Sequence, residues 1–143
     1  MGENEVVEPP DNVVVFDGVC NLCNRYVRFV IERDPDALFR FAPMQSPAGA
    51  LLLRRHGIVP EDLDTFVLIR SGRVYARSDA AIEIARRLRG PWRLLSLVRV
   101  VPRPLRNWLY DIIARNRYRW FGKLSACAVP RAEHRGRFVD EGP

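Results

Sequence analysis

Two cysteines separated by two residues, in Cys20-Asn21-Leu22-Cys23, are the side chains of this sequence best suited to chemistry. Only a thiolate is a nucleophile or a metal ligand, so what counts is how the pair is held and how its ionisation is tuned. The apolar run Val13-Val14-Val15-Phe16 and then Asp17-Gly18 precede the pair, and an amphipathic segment follows it. That order places both thiols where a buried strand hands over to the first turn of a helix. The free N–H groups and the positive dipole end there favour an anion and lower a cysteine pKa. At this spacing two cysteines can also close on each other as a small reversible disulfide. The stretch therefore points to dithiol–disulfide exchange. Cys20, nearer the helix start and the solvent, is the attacking thiolate, and Cys23 resolves the mixed disulfide. Asp17, three residues before Cys20, is placed to take the Cys23 proton as a general base. The same position also suits an aspartate that only binds loop amides.

Other readings of the same residues compete. Cys127 is either a small buried hydrophobe or a third redox thiol that exchanges with the pair. In a zinc-binding structural or partner-binding module, Cys20 and Cys23 would be half of a tetrahedral site. Cys127 with His56 or His134 would complete it. The sequence holds no second close-spaced ligand pair, so neither a metal nor any cofactor beyond the dithiol is expected. The two histidines otherwise belong on the surface. Two phosphatase readings fail. Val19 stands where haloacid dehalogenase-type enzymes need a second aspartate, and four residues rather than five separate Cys20 from Arg25.

The elements that must position these groups follow from the pattern. Val13 to Phe16 is a strand buried on both faces. Asn21 to Arg33 is a helix with Leu22, Tyr26, Phe29 and Val30 on one face, stopped by Asp34-Pro35. Leu38 to Ala42 is a second strand, completing a right-handed βαβ unit. Ser46-Pro47 starts a helix that runs to Gly57, and Pro60 to Asp64 is an acidic loop. Thr65 to Ile69 and Val74 to Ala76 form a hairpin around Ser71-Gly72. Ser78 caps the next helix, with Ala81, Ile82, Ala85 and Leu88 on one side, and Gly90-Pro91 ends it. The order β-α-β-α-β-β-α, with C-x-x-C at the start of the first helix, is that of the thioredoxin fold.

A helical extension follows from Pro91 to Val139. Trp92 to Val101 is mostly apolar, Pro102 and Pro104 interrupt it, and Leu105, Trp108, Leu109, Ile112 and Ile113 keep helical spacing. With residues 1–12 as a loose acidic tail, residues 13–139 make one domain. The formal charge of +6 is nearly all arginine, Lys123 being the sole lysine. Arginine stems covering helix flanks account for it, and nucleic acid is not expected. Peripheral membrane contact through the Arg-rich C-terminal helices is the lesser expectation, because tryptophans at helical spacing more often fill a core. No apolar run reaches the ~18 residues of a membrane span, and no signal-peptide pattern is seen, so the expected location is the cytoplasm. Cysteines in that reducing compartment favour redox chemistry over a structural disulfide framework.

The Asp17-Gly18-x-Cys20-x-x-Cys23-Asn24 signature resembles the DCC family of predicted thiol–disulfide oxidoreductases, named for its Asp-Cys-Cys motif and assigned a thioredoxin-like fold. Arg77-Ser78-Asp79-Ala80, Asn116 to Gly122 and Cys127-x-x-Pro130 are similar to further family patterns, so the resemblance spans roughly Val13 to Val139. It implies a dithiol redox role for Cys20 and Cys23 with Asp17 as the accompanying acid. Substrate and electron donor, whether a protein or a small-molecule thiol or disulfide, do not come with it. Ordinary thioredoxins place a cis-proline immediately before the third strand, whereas here Asp64 precedes Thr65 and the nearest proline is Pro60.

Overall fold

The computed structural model describes residues 12–59, 65–123 and 137–138. In chain order the elements are β1 (Val13–Phe16), α1 (Asn21–Glu32), β2 (Arg40–Pro43), α2 (Pro47–Arg55), β3 (Phe66–Arg70), β4 (Arg73–Ala76) and α3 (Arg77–Ala85). A 3-10 segment (Gly90–Val100), α4 (Arg103–Arg115) and α5 (Arg117–Phe121) follow. The sheet order is β2-β1-β3-β4. β1 runs parallel to β2 and antiparallel to β3, and β4 returns antiparallel to β3. This is the thioredoxin-like α/β arrangement with a helical extension.

Side-chain alternation along β1 divides the core between the two faces of the sheet. Val14 and Phe16 meet Val27 and Val30 of α1 and Ile84 of α3 on one face. Val13 and Val15 meet Leu52 and Leu53 of α2 on the other. An all-apolar strand is therefore what a two-sided burial demands. At the hairpin, Ser71 and Gly72 both take positive φ, 53° and 77°, the backbone of a tight primed turn. Ser46 caps α2 by accepting the Gly49 N–H at 3.0 Å. A Cβ on Gly49 would lie 2.0 Å from the Pro43 carbonyl oxygen, so only glycine lets α2 sit this close to β2. Asn12 is buried and accepts a 2.6 Å hydrogen bond from Arg70.

Three expectations need correction. Ser78 does not cap α3, whose N-cap is Ala76 without a side-chain bond. The Ser78 hydroxyl instead donates to Asn107 Oδ1 at 2.6 Å and accepts from Arg106 Nη1 at 3.1 Å. Gly90-Pro91 does not end α3, which stops at Ala85; Gly90, at φ 87°, opens the 3-10 segment. Two of the three tryptophans of the extension are not core. Trp108 and Trp120 are 57% and 54% exposed, and only Trp92 is half-buried, edge-on to Phe29 at 4.7 Å. The inward face of α4 is built instead from Arg106 and Ala114, both buried, with Tyr110 against Phe66. Arg106 reaches Asp79 at 3.0 Å, and Arg77 pairs with Asp111 at 3.5 Å. The Arg77-Ser78-Asp79 run is thus the seam that docks α4. Among the described residues no helix is long and apolar enough to cross a membrane.

Candidate active site

The end of β1 delivers Asp17 into the interior, where its carboxylate is fully buried. A tight turn follows, closed by the Cys20 N–H donating to the Asp17 carbonyl at 3.2 Å. Asn24 Nδ2 holds that turn from α1, donating to the carbonyls of Gly18 and Cys20 at 2.8 and 3.1 Å. Gln45 holds it from the other side, its Oε1 accepting the Gly18 N–H at 2.9 Å. The turn fixes Cys20 as the N-cap of α1, with its sulfur accepting the Cys23 N–H at 3.4 Å. Capping by sulfur satisfies a helix-end donor and directs the positive end of the helix at the thiol.

Cys23 lies one turn deeper, and its sulfur is 3.7 Å from the Thr65 carbonyl oxygen at the start of β3. Both cysteines carry free thiols. Their environments drive their ionisation apart. The hydrogen bond from the Cys23 thiol, helped by the N–H groups of Cys23 and Leu22, brings the Cys20 pKa down to about 6, against burial and the charge of Asp17. The same thiol–thiol bond, followed by burial, pushes the Cys23 pKa far up. The shared hydrogen bond thus favours the anion on Cys20 and the proton on Cys23.

Cys20 is not the more exposed thiol that its position suggests. It is fully buried and Cys23 is 3% exposed. The cover comes from the end of α5. Lys123 forms an antiparallel bridge with Cys20, and the Gly122 carbonyl accepts the Asn21 N–H at 3.3 Å. The Phe121 carbonyl accepts from Asn21 Nδ2 at 2.9 Å. Gly122 holds φ at 94°, and a Cβ there would stand 2.8 Å from Asn21 Nδ2. Nothing in the local sequence around Cys20 shows this strip, 100 residues away along the chain.

Four hydrogen bonds hold the Asp17 carboxylate. Oδ1 accepts from Gln45 Nε2 at 2.8 Å and from the Val19 N–H at 3.2 Å. Oδ2 accepts from Arg117 Nη2 at 3.2 Å and from the Tyr118 hydroxyl. Burial, and then the bond to Asp17, push the Tyr118 pKa up to about 12, so the phenol stays a donor. Arg117, braced on the Ala114 carbonyl at 2.7 Å, neutralises the buried carboxylate. The loop-amide role for Asp17 is therefore present, and a cationic clamp is added to it. Gln45 and Thr65 carried no signal in the sequence. Arg117 and Tyr118 stood in a family-like pattern without an assigned task.

Every feature that places these thiols falls within one stretch of matching sequence. The pattern describing DCC1-like thiol-disulfide oxidoreductases matches residues 14–123, from β1 to the strip over Cys20. The chain belongs to that family. This DCC1-like chain is 49% identical over 130 residues to the uncharacterized protein YuxK of Bacillus subtilis (strain 168), covering 91% of this chain and 95% of that one. It is 39% identical over 118 residues to the DCC family protein At1g52590, chloroplastic, of Arabidopsis thaliana, covering 82% and 69%. No solved structure matches it. Membership supports a thiol–disulfide role for the chain. Cys127 and His134 of this family member lie outside the described residues, as does the loop from Pro60 to Asp64. His56 ends α2, with its Nδ1 on the Leu52 carbonyl at 2.9 Å. Among the described residues no three of His, Cys, Asp and Glu gather as a metal site would require.

Proposed function

We propose that this family member exchanges thiols and disulfides through Cys20 and Cys23, with Cys20 as the nucleophile. The supporting observation is the Cys20 sulfur capping α1 beside the Cys23 thiol, which makes one sulfur an anion and keeps its neighbour protonated. The Cys20 thiolate attacks one sulfur of a substrate disulfide, whose S–S bond breaks as a mixed disulfide forms. The departing sulfur leaves as a thiolate and takes a proton from solvent. Cys23 then gives its proton to Asp17, and its sulfur attacks Cys20 Sγ, expelling the second substrate thiolate. The substrate has gained two electrons, and the protein is left with a Cys20–Cys23 disulfide. A second dithiol or a pair of monothiols reduces it again, and the reverse sequence inserts disulfides. The strip at Gly122 and Lys123 swings aside before Cys20 meets its substrate. We place the reaction in the cytoplasm, where thiols are kept reduced.

Thiol counting and metal analysis on fresh protein, across a glutathione redox series, test this reading. A reversible two-electron transition that disappears in Cys20→Ser and in Cys23→Ser is the expected result. Stoichiometric zinc, lost together with the fold on chelation, would overturn it in favour of the structural module. Failure of the pair to form any disulfide would overturn it equally.

A further inference from the structure

Large apolar side chains that the sheet leaves unused collect in the extension. In the 3-10 segment Leu94, Leu97 and Val100 are 65%, 64% and 85% exposed. Residues three apart eclipse one another in a 3-10 helix, so these three form one row. On α4 the exposed large apolar residues are Leu105, Trp108, Leu109 and Ile113, whose spacing of three and four puts them on one stripe. Trp120 on α5 is exposed as well. Scattered surface leucines need no explanation, but consecutive elements that both turn apolar rows outward mark an interaction surface.

The charge around these rows is predominantly positive. From Arg86 to Lys123 the chain carries ten arginines and one lysine against a single acid, Asp111. Arg93, Arg115 and Arg119 have no carboxylate partner among the described residues. Next to the rows lies an open cavity of about 610 Å³. Arg73, Arg86, Arg87, Arg99, Arg103 and Arg106 line it, with only Asp79 and Glu83 to balance them. Arg99 and Arg103 belong to the 3-10 segment and to α4, so the cavity borders the apolar rows.

We propose that this face docks on an anionic phospholipid surface. Its leucines and tryptophans enter the acyl boundary, and a headgroup phosphate seats among the arginines of the cavity. An element with one apolar side and one basic side lies in the plane of such an interface, and tryptophan favours that depth. Guanidinium groups bind phosphate in a bidentate fork while their stems lie along the apolar surface. A second copy of this chain suits the face poorly, because it would set one arginine cluster against another.

Co-sedimentation of the full chain tests the proposal. It uses vesicles of equal parts phosphatidylglycerol and phosphatidylcholine, compared with vesicles of phosphatidylcholine alone. The protein is expected to pellet with the anionic vesicles only, to be released by salt, and to shift its tryptophan emission to the blue on binding. Arg99→Ala with Arg103→Ala should weaken partitioning roughly 10- to 30-fold, at about a fivefold loss per arginine. Trp108→Glu with Leu109→Glu should abolish it, with circular dichroism unchanged because both side chains already face water. Protein that stays in the supernatant with anionic vesicles overturns the proposal. So does pelleting that neither pair of substitutions alters, and so does a doubled mass in solution that the glutamate pair abolishes without any vesicle binding.

Discussion

At the scale of single residues, the site works by splitting two chemically identical groups. Cys20 and Cys23 differ because one sulfur receives the helix-end donors and its neighbour's thiol hydrogen bond, while the other is the giver of that bond. Alkylation of Cys20 by iodoacetamide should therefore rise with pH around a midpoint of about 6 and be flat above neutrality. A midpoint near the ordinary value of 9.0 would show that the donors do not reach the sulfur. Asp17 opposes the Cys20 anion, so Asp17→Asn should move that midpoint lower still. The same substitution removes the acceptor for the Cys23 proton, and the resolving step should slow by about 100-fold or more. Rapid-quench trapping of a Cys20 mixed disulfide would measure it. An unchanged resolving rate would leave Asp17 as a loop anchor only.

At the scale of elements, the extension is part of the site rather than an appendage. α4 is docked on α3 by buried polar groups, Arg106 spanning Ser78, Asp79 and the Val101 carbonyl. Arg106→Ala would strand those acceptors. Because Asp79 is about one-third exposed, the cost should be at the level of a charged hydrogen bond, about 1.5–3 kcal/mol. Urea unfolding measures it, and a loss under ~0.5 kcal/mol, as for a plain surface site, would mean the seam is ornamental. From α4 the chain passes into α5, which sets Arg117 and Tyr118 on Asp17 and then draws Gly122 over Asn21. Gly122→Ala demands a left-handed conformation of a residue with a Cβ, which costs about 1–2 kcal/mol, and crowds the Asn21 carboxamide. That should open the strip and speed Cys20 alkylation about 5- to 30-fold at fixed pH. Unchanged reactivity would mean that Cys20 is reached by another route.

At the scale of the whole molecule, the thiol ionisation sets the balance between the reduced and oxidised folds. Cys20 has its pKa lowered on folding. Its contribution is absent below about pH 6, grows as pH rises, and is complete only above the unfolded value of 9.0. Cys23, with its pKa raised, is a thiol in both states at pH 7 and adds nothing there. At pH 7 the lowered Cys20 pKa favours the reduced fold and so raises the two-electron potential. The midpoint should accordingly lie above that of a dithiol with unperturbed thiols and well below the ~−120 mV of the strongest oxidants. Its pH dependence is the sharper check. One proton instead of two accompanies reduction above about pH 6, so the slope should fall there from ~60 to ~30 mV per pH unit. A single slope across that range would refute the split pair.

The sequence by itself determined the thioredoxin-like order of elements and the dithiol at the head of the first helix. Both rest on local physics: an apolar run must be buried on two faces, a Ser-Pro pair starts a helix, and adjacent positive-φ residues turn a hairpin. Cys20, Cys23 and Asp17 were legible because strand, turn and helix start are contiguous in the chain. Only the tertiary structure decided what surrounds them. The Arg117–Tyr118 clamp, the Gln45 brace and the Gly122 strip join residues 27 to 101 positions apart, and no local periodicity encodes such pairings. The same holds for Ser78, a good cap by type that is taken by Asn107 and Arg106 because α4 arrives there. It holds again for Trp108, whose helical spacing suits a core while its neighbour Arg106 occupies the buried side. Residue type and spacing state what each side chain can do, and packing between distant segments selects which of those things it does.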